Sequence, residues 1–197
     1  MDRIEIVDEE RKIARRVPPV PEAPQWFAMS APYSGELKAA EALRAMGIES
    51  YVPMRYEIIQ KGAVKKKLLG PAIHNLIFVH APRTDVQAAK GKIRRLQYHT
   101  IPSGGRNVPI VVPDKQMEDF MRVCGSTGAG AAIFAPGEVQ IPEGARVRII
   151  GGELSGVEGR FVRLSGKRRR TLVVEIPFVA SAVLASLTPD LVEVLDQ

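Results

Sequence analysis

The hydrophobic pattern changes period several times along the chain, and each change marks an element. Trp26-Phe27-Ala28-Met29 is a short unbroken apolar run, suited to a buried strand. Pro32, Ser34 and Gly35 then break it with a turn. Residues 36–46 switch to a helical period. Ala39, Ala40, Leu43 and Met46 share a face, Lys38, Glu41 and Arg44 fall largely off it, and Gly47 supplies a C-terminal stop. Residues 48–53 predict a strand. Residues 56–60 and 64–69 alternate, which predicts a hairpin around Lys61-Gly62. Residues 75–80 enclose Leu76-Ile77-Phe78-Val79, a run suited to a central strand. A short helix over 85–91, strands over 96–101 and 108–112, and a helix from Pro113-Asp114 to Val123 complete this half. Strands mixed with helices in this way predict an α+β sandwich, with helices packed on a mostly antiparallel sheet.

Proline punctuates the start, with Pro18, Pro19, Pro21 and Pro24 among the first 24 residues. Proline at that density cannot build a helix or a ladder, so residues 1–24 predict a flexible, polyproline-like leader. Residues 125–137 are dominated by glycine and other small residues and predict a flexible linker between domains at 25–124 and 138–197. The second domain reads as all-β. Residues 146–150, 161–164, 171–176 and 191–195 are strand-like, Gly151-Gly152 turns, and Gly156 and Gly159 bracket another bend. Short strands with glycine turns in so few residues predict a small barrel.

Composition narrows the class. The chain has 197 residues, 45% hydrophobic and 25% charged, which is ordinary globular chemistry. No apolar run is long enough to cross a bilayer, and the N-terminus lacks the apolar core of a secretory signal. The single cysteine, Cys124, permits no internal disulfide and reads as a small buried hydrophobe. A reducing, cytoplasmic location is expected. The net charge of +6 gathers in three clusters: Lys61 with Lys65, Lys66 and Lys67; Lys90, Lys92, Arg94 and Arg95; and the run 167–170. One such cluster is an ordinary solvated face, but three point toward a polyanionic partner. Catalytic signatures do not emerge. His74, His80 and His99 are the only histidines, and the spacing of the first two is poor for a metal. Ser103-Gly104-Gly105-Arg106 is a turn without the ending of a phosphate loop. No enzyme activity and no cofactor are expected.

Gly144-Ala145-Arg146-Val147-Arg148-Ile149-Ile150-Gly151-Gly152, followed by Ser155-Gly156-Val157-Glu158-Gly159-Arg160, resembles a KOW motif. The first half resembles the N-terminal (NGN) domain of NusG/RfaH-type transcription elongation factors. The matching residues are Trp26-Phe27, Ser34-Gly35, Gly47-Ile48-Glu49-Ser50-Tyr51-Val52-Pro53, the basic hairpin, and 71–79. The resemblance covers roughly residues 25–197. It implies a ferredoxin-like α/β sandwich followed by an SH3-like barrel.

The sequence departs from housekeeping members at Ile73-His74-Asn75-Leu76, at Gly152-Glu153-Leu154 and in 176–184, where the family's partner-binding segment falls. Ile93-Arg94-Arg95-Leu96 and 112–117 look closer to specialised antiterminators of surface-polysaccharide operons. A general housekeeping factor and an RNA-binding or ribosome-associated KOW protein are the alternatives.

By the same resemblance, an apolar patch of Ser30, Ile73, His74, Leu76, Phe78 and Tyr98 would dock on the clamp helices of RNA polymerase. Phe78 alone reads as core, and Leu76→Asp is expected to weaken docking while sparing the fold. A second surface facing the polymerase would lie between Arg83 and Ala88, with Thr84 and Gln87 as candidates. Arg44, Lys65, Lys66 and Lys67 would meet the displaced non-template DNA strand, with Tyr33 and Tyr56 able to stack. The barrel would recruit a ribosomal protein or a termination factor. A monomer is expected.

Overall fold

Parity along β1 (Gln25–Ser30) decides how the first half packs. Successive side chains of a strand point to opposite faces, so Phe27 and Met29 face one way and Trp26, Ala28 and Ser30 the other. The structure is a computed structural model and describes residues 22–61, 64–126, 131–138, 140–163, 171–184 and 191–196. The leader up to residue 21, Gly62 of the hairpin turn and the basic run 167–170 lie outside the described residues.

Antiparallel partners flank β1: β5 (Leu76–Ala81) on one side, with β2 (Glu49–Tyr51) beyond it, and β6 (Gln97–Tyr98) with β9 (Val111–Val112) on the other. Ser30 pairs with Leu76, Ala28 with Phe78 and Trp26 with His80. The Phe27 and Met29 face receives α1 (Glu36–Ala45) and α2 (Arg83–Lys92). Leu43, Ala39, Val86 and Ala89 close a core there with Ile77, Val79 and Leu96. The opposite face receives α3 (Asp114–Gly125), whose Met117, Phe120 and Val123 are fully buried. Phe120 meets Phe78 edge-on with ring centroids 5.9 Å apart.

Two ribbons leave this sheet. The hairpin of β3 (Met54–Lys61) and β4 (Val64–Pro71) is longer than its alternation predicted, and the Ala72 amide donates to the Pro53 carbonyl at its base. β7 (Thr100–Ser103) and β8 (Arg106–Pro109) form a second hairpin through the expected glycine turn, Gly104 and Gly105 both having positive φ. The strand predicted over 96–101 is thus two strands in different sheets, broken at His99, whose carbonyl accepts from Ile110 N.

The second half is one antiparallel sheet of six strands in the order β10-β14-β13-β12-β11-β15. These are β10 (Ala132–Phe134), β11 (Ala145–Ile149), β12 (Glu158–Val162), β13 (Thr171–Ile176), β14 (Ala180–Leu184) and β15 (Val192–Asp196). Two expectations change here. Residues 132–134, predicted as linker, form the edge strand β10 and pair with β14. Gly159, predicted to bracket a bend, lies inside β12. A Cβ there would come 2.6 Å from the Val173 carbonyl oxygen, so its glycine serves close strand approach. Gly152, at φ 77°, does make the expected turn.

Candidate functional site

The two halves share one apolar cluster. It runs from Trp26, Ala28, Leu76 and Phe78 of the first sheet, through Met117, Phe120 and Val123 of α3, into Val174, Ile176 and Ala182 of the second sheet. Helix α3 bridges the two sheets: its apolar side chains lie in the cluster between them, and its polar side chains bond to the second sheet. The Gln116 side-chain amide donates to the Glu175 carbonyl at 2.6 Å, and the Arg122 guanidinium donates to the Glu153 and Ser155 carbonyls, both at 2.9 Å. Asp119 accepts the Glu158 amide at 3.1 Å and an ammonium hydrogen of Lys115 at 2.5 Å. Lys115 also donates to the Gly156 carbonyl at 2.9 Å. Each such bond contributes about 1 kcal/mol net, whereas burying one large apolar side chain contributes about 1.5–3 kcal/mol. The apolar cluster therefore supplies most of the adhesion, and the α3 contacts fix the register of the two sheets.

The six residues proposed for one apolar patch separate when placed. Ile73, Leu76 and Phe78 belong to the shared cluster and are 8%, 2% and 0% exposed. Ser30 is partly buried at the same sheet edge, paired with Leu76. His74 is exposed in the loop before β5. Tyr98 stands apart. It pairs with Met29, so parity turns it to the α1/α2 face, 5.4 Å from Phe27 and under the Lys90 ammonium at 4.5 Å. Burial raises the pKa of its phenol, and the nearby Arg83 charge opposes the rise. Leu76 also fails as a clean probe: a carboxylate there would sit unpaired in the core, so Leu76→Asp would not spare the fold.

A buried carboxylate holds this edge. Glu36, in the first turn of α1, is 0% exposed and accepts the Asn75 amide, while Ala31 N donates to Asn75 O at 2.9 Å. Asn75 has a left-handed backbone at φ 64°. No sequence signal marked Glu36, since an acid at a helix start is ordinary.

The nucleic-acid candidates lie on two elements. Lys65, Lys66 and Lys67 are exposed along β4, and the Lys67 ammonium sits 4.2 Å from the centre of the Tyr56 ring. Tyr56, Ile58 and Leu69 share that ribbon face by register, and all three are largely exposed. Arg44 is exposed on α1 beside a shallow groove with Leu37 and Glu41. Thr84 and Gln87 are exposed on α2. No ion pair among the described residues holds Lys65, Lys66 or Lys67. The second sheet differs, with Arg148 on Glu158 at 2.8 Å and Arg160 on Glu175. The hydrogen bond from Arg148, helped by its charge, holds the Glu158 carboxyl below the usual range. A cleft of about 660 Å³ beside α3 sets Lys115, Arg146 and Arg160 against Asp119, Glu158 and Glu175, so its charges balance. Burial pushes the Cys124 thiol up to about 12, despite the hydrogen bond from Tyr51, which leaves it protonated and packed against the shared cluster. Among the described residues, no group of three His, Cys, Asp or Glu could hold a metal ion, and no helix is long and apolar enough to cross a membrane.

Residues 24–121 match the family model described as "Transcription termination factor nusG". The chain carries a NusG-family domain. That domain comprises the first sheet, α1, α2 and most of α3, so the buried patch residues and the hairpin lysines all lie within it. No curated protein matches the chain. A solved structure described as "Domain interaction in Thermotoga maritima NusG" is 19% identical, covers 88% of this chain and 98% of its own, and has a TM-score of 0.43. A second, the MjSpt4:Spt5 complex in conformation B, is 16% identical, covers 87% and 97%, and has a TM-score of 0.26.

Proposed function

We propose that this protein is a transcription elongation factor that docks on the clamp helices of RNA polymerase through the Ile73–Phe78 edge of its NusG-family domain. The observation that carries the reading is the shared cluster: a β-strand mouth rich in apolar side chains is closed in this structure by a second sheet of the same chain. The docking surface becomes available only when the second sheet leaves α3. Binding polymerase must therefore exceed the adhesion of the two halves, and the exposed His74, beside the partly buried Ser30, is where first contact forms. Docked there, the domain bridges the cleft around the nucleic acid and suppresses pausing and termination. The Lys65–Lys67 ribbon reaches the displaced non-template strand. The second sheet folds as an SH3-like KOW barrel and, once released, recruits a ribosomal protein or a termination factor. The departures at 73–76 and 152–154 favour a role in antitermination at surface-polysaccharide operons over a general one.

The test is in vitro transcription with purified polymerase on a terminator template, run beside a pull-down with tagged polymerase. The full chain should bind and increase read-through, and Asp119→Ala combined with Arg122→Ala should bind more tightly because the seam is loosened. Absence of binding by both proteins, with unchanged pausing, refutes the proposal.

A further inference from the structure

The β2 edge of the first sheet has no role in that function, and its outer side is open. β2 is outermost in the order β2-β5-β1-β6, and Glu49, Ser50 and Tyr51 pair with β5. Among the described residues, their backbone forms no bond on the side away from β5. Unpaired amides and carbonyls at an edge accept another strand readily, and folded proteins usually cover or charge them. A groove of about 530 Å³ lies beside this edge, between β2 and α1. Leu37, Ala40 and Ile48 line it together with Glu41 and Arg44, and Leu37 is 49% exposed. Such a groove offers what an added strand uses: backbone partners on one side and an apolar surface for alternate side chains.

The chain carries a segment that fits. Residues 1–24 lead into β1. Trp26 pairs with His80 and His80 with Glu49, so β1 begins at the same end of the sheet as β2. Two strand spacings separate these starts, about 10 Å. The leader's prolines all lie at 18–24, and Ile4-Glu5-Ile6-Val7 is its one run rich in β-branched residues, close in length to β2. Asp8-Glu9-Glu10 follow that run. Laid antiparallel to β2, the run finishes at the Glu49 end. Arg44 stands at this end, because α1 passes from Arg44 through the Gly47 turn into Glu49. Arg44 is exposed, and no ion pair among the described residues holds it. The acids therefore meet an available cation. Residues 11–24 then have to return three strand spacings to Gln25, about 15 Å, and an extended chain of that length reaches about 45 Å.

We propose that residues 4–7 of the leader add a strand antiparallel to β2 and seat Ile4 and Ile6 in the α1–β2 groove, with Asp8, Glu9 and Glu10 facing Arg44. The leader is then an internal strand that closes this edge to extended segments of other chains. Arg44 serves the leader rather than a DNA strand. The contact requires no polymerase, so its test is independent of the docking proposal.

The experiment is hydrogen exchange of the full chain, read residue by residue by NMR. Ile4→Asp with Ile6→Asp should speed exchange of the β2 amides that point away from β5 about tenfold or more, while the Ile77 and Val79 amides at the sheet centre keep their rates. Leu37→Lys, an exposed change on the groove side, should do the same. Arg44→Glu should speed exchange by a smaller factor, and adding Glu9→Lys and Glu10→Lys should restore the parent rate. A merely structural Arg44 would not be rescued from the leader. The rates should hold over a roughly hundredfold range of protein concentration. Protection that grows with concentration would mean that a second copy covers the edge and would overturn the proposal. Unchanged β2 exchange in Ile4→Asp with Ile6→Asp would overturn it equally.

Discussion

The two faces of the first sheet bury comparable apolar residues but belong to different enterprises. Phe27, Met29, Ile77 and Val79 close against α1 and α2, and every partner comes from the same half of the chain. Trp26, Ala28, Leu76 and Phe78 close against α3, and through it against a second sheet that joins the cluster from far along the sequence. The first face is a private core that cannot open without unfolding the half it stabilises. The second is a core only while the two halves stay together. The seam is held in register by Gln116, Asp119 and Arg122, which bond mainly to backbone of the second sheet. Backbone partners are present whatever side chains the strands carry, so these contacts depend on position more than on the residues opposite.

The sharpest way to break this contrast is in the private core. Leu43→Ala should destabilise the protein by about 2–5 kcal/mol in urea denaturation, with no gain in polymerase binding. A gain would mean that the α1 face, too, is part of the switch. Asp119→Ala should cost about 1–3 kcal/mol, because it strands the Glu158 amide and frees Lys115. Here binding to polymerase should rise as stability falls, measured by pull-down and denaturation on the same preparation.

Acid should act on the second sheet by a smaller amount. The Glu158 carboxyl is held below its ordinary value of 4.5 in the folded protein, chiefly by its hydrogen bond and ion pair with Arg148. A lowered carboxylate contributes stability that is present above that ordinary value and is lost as pH falls through the folded one. Stability measured from pH 6 to about pH 3 should therefore decline less steeply in Glu158→Gln than in the parent. An unchanged slope would remove the Arg148 pair from the energetics. The smallest effect expected is from Tyr33→Gly, where the backbone is left-handed at φ 63°: a stabilisation of about 1 kcal/mol at most, read from thermal unfolding.

Local pattern made the private core legible. The helical period of Ala39, Leu43 and Met46, the apolar run at 76–79 and the Gly104-Gly105 turn all depend on neighbours in sequence, and they occur where expected. The shared face was opaque for a physical reason: Leu76 and Phe78 present the same apolar chemistry whether their cover is a foreign protein or a distant strand. Tyr98 was misplaced because its face depends on pairing parity with Met29, which residue type does not reveal. Residues 132–134 are too few to show alternation, and only their pairing with β14 makes them a strand. The Arg95 guanidinium lies over the Tyr33 ring, joining positions far apart in sequence through loops whose meeting is a property of topology.

Helix α3 ends at Gly125 and β10 begins at Ala132, so only residues 126–131 join the two halves. Fully stretched, such a tether reaches about 20 Å. At that range one half experiences the other at millimolar effective concentration, however dilute the protein is in solution. Dilution will not open the molecule, and a competitor present at nanomolar levels must overcome that proximity as well as the contacts themselves. A longer tether would ease opening without touching a single residue of the seam.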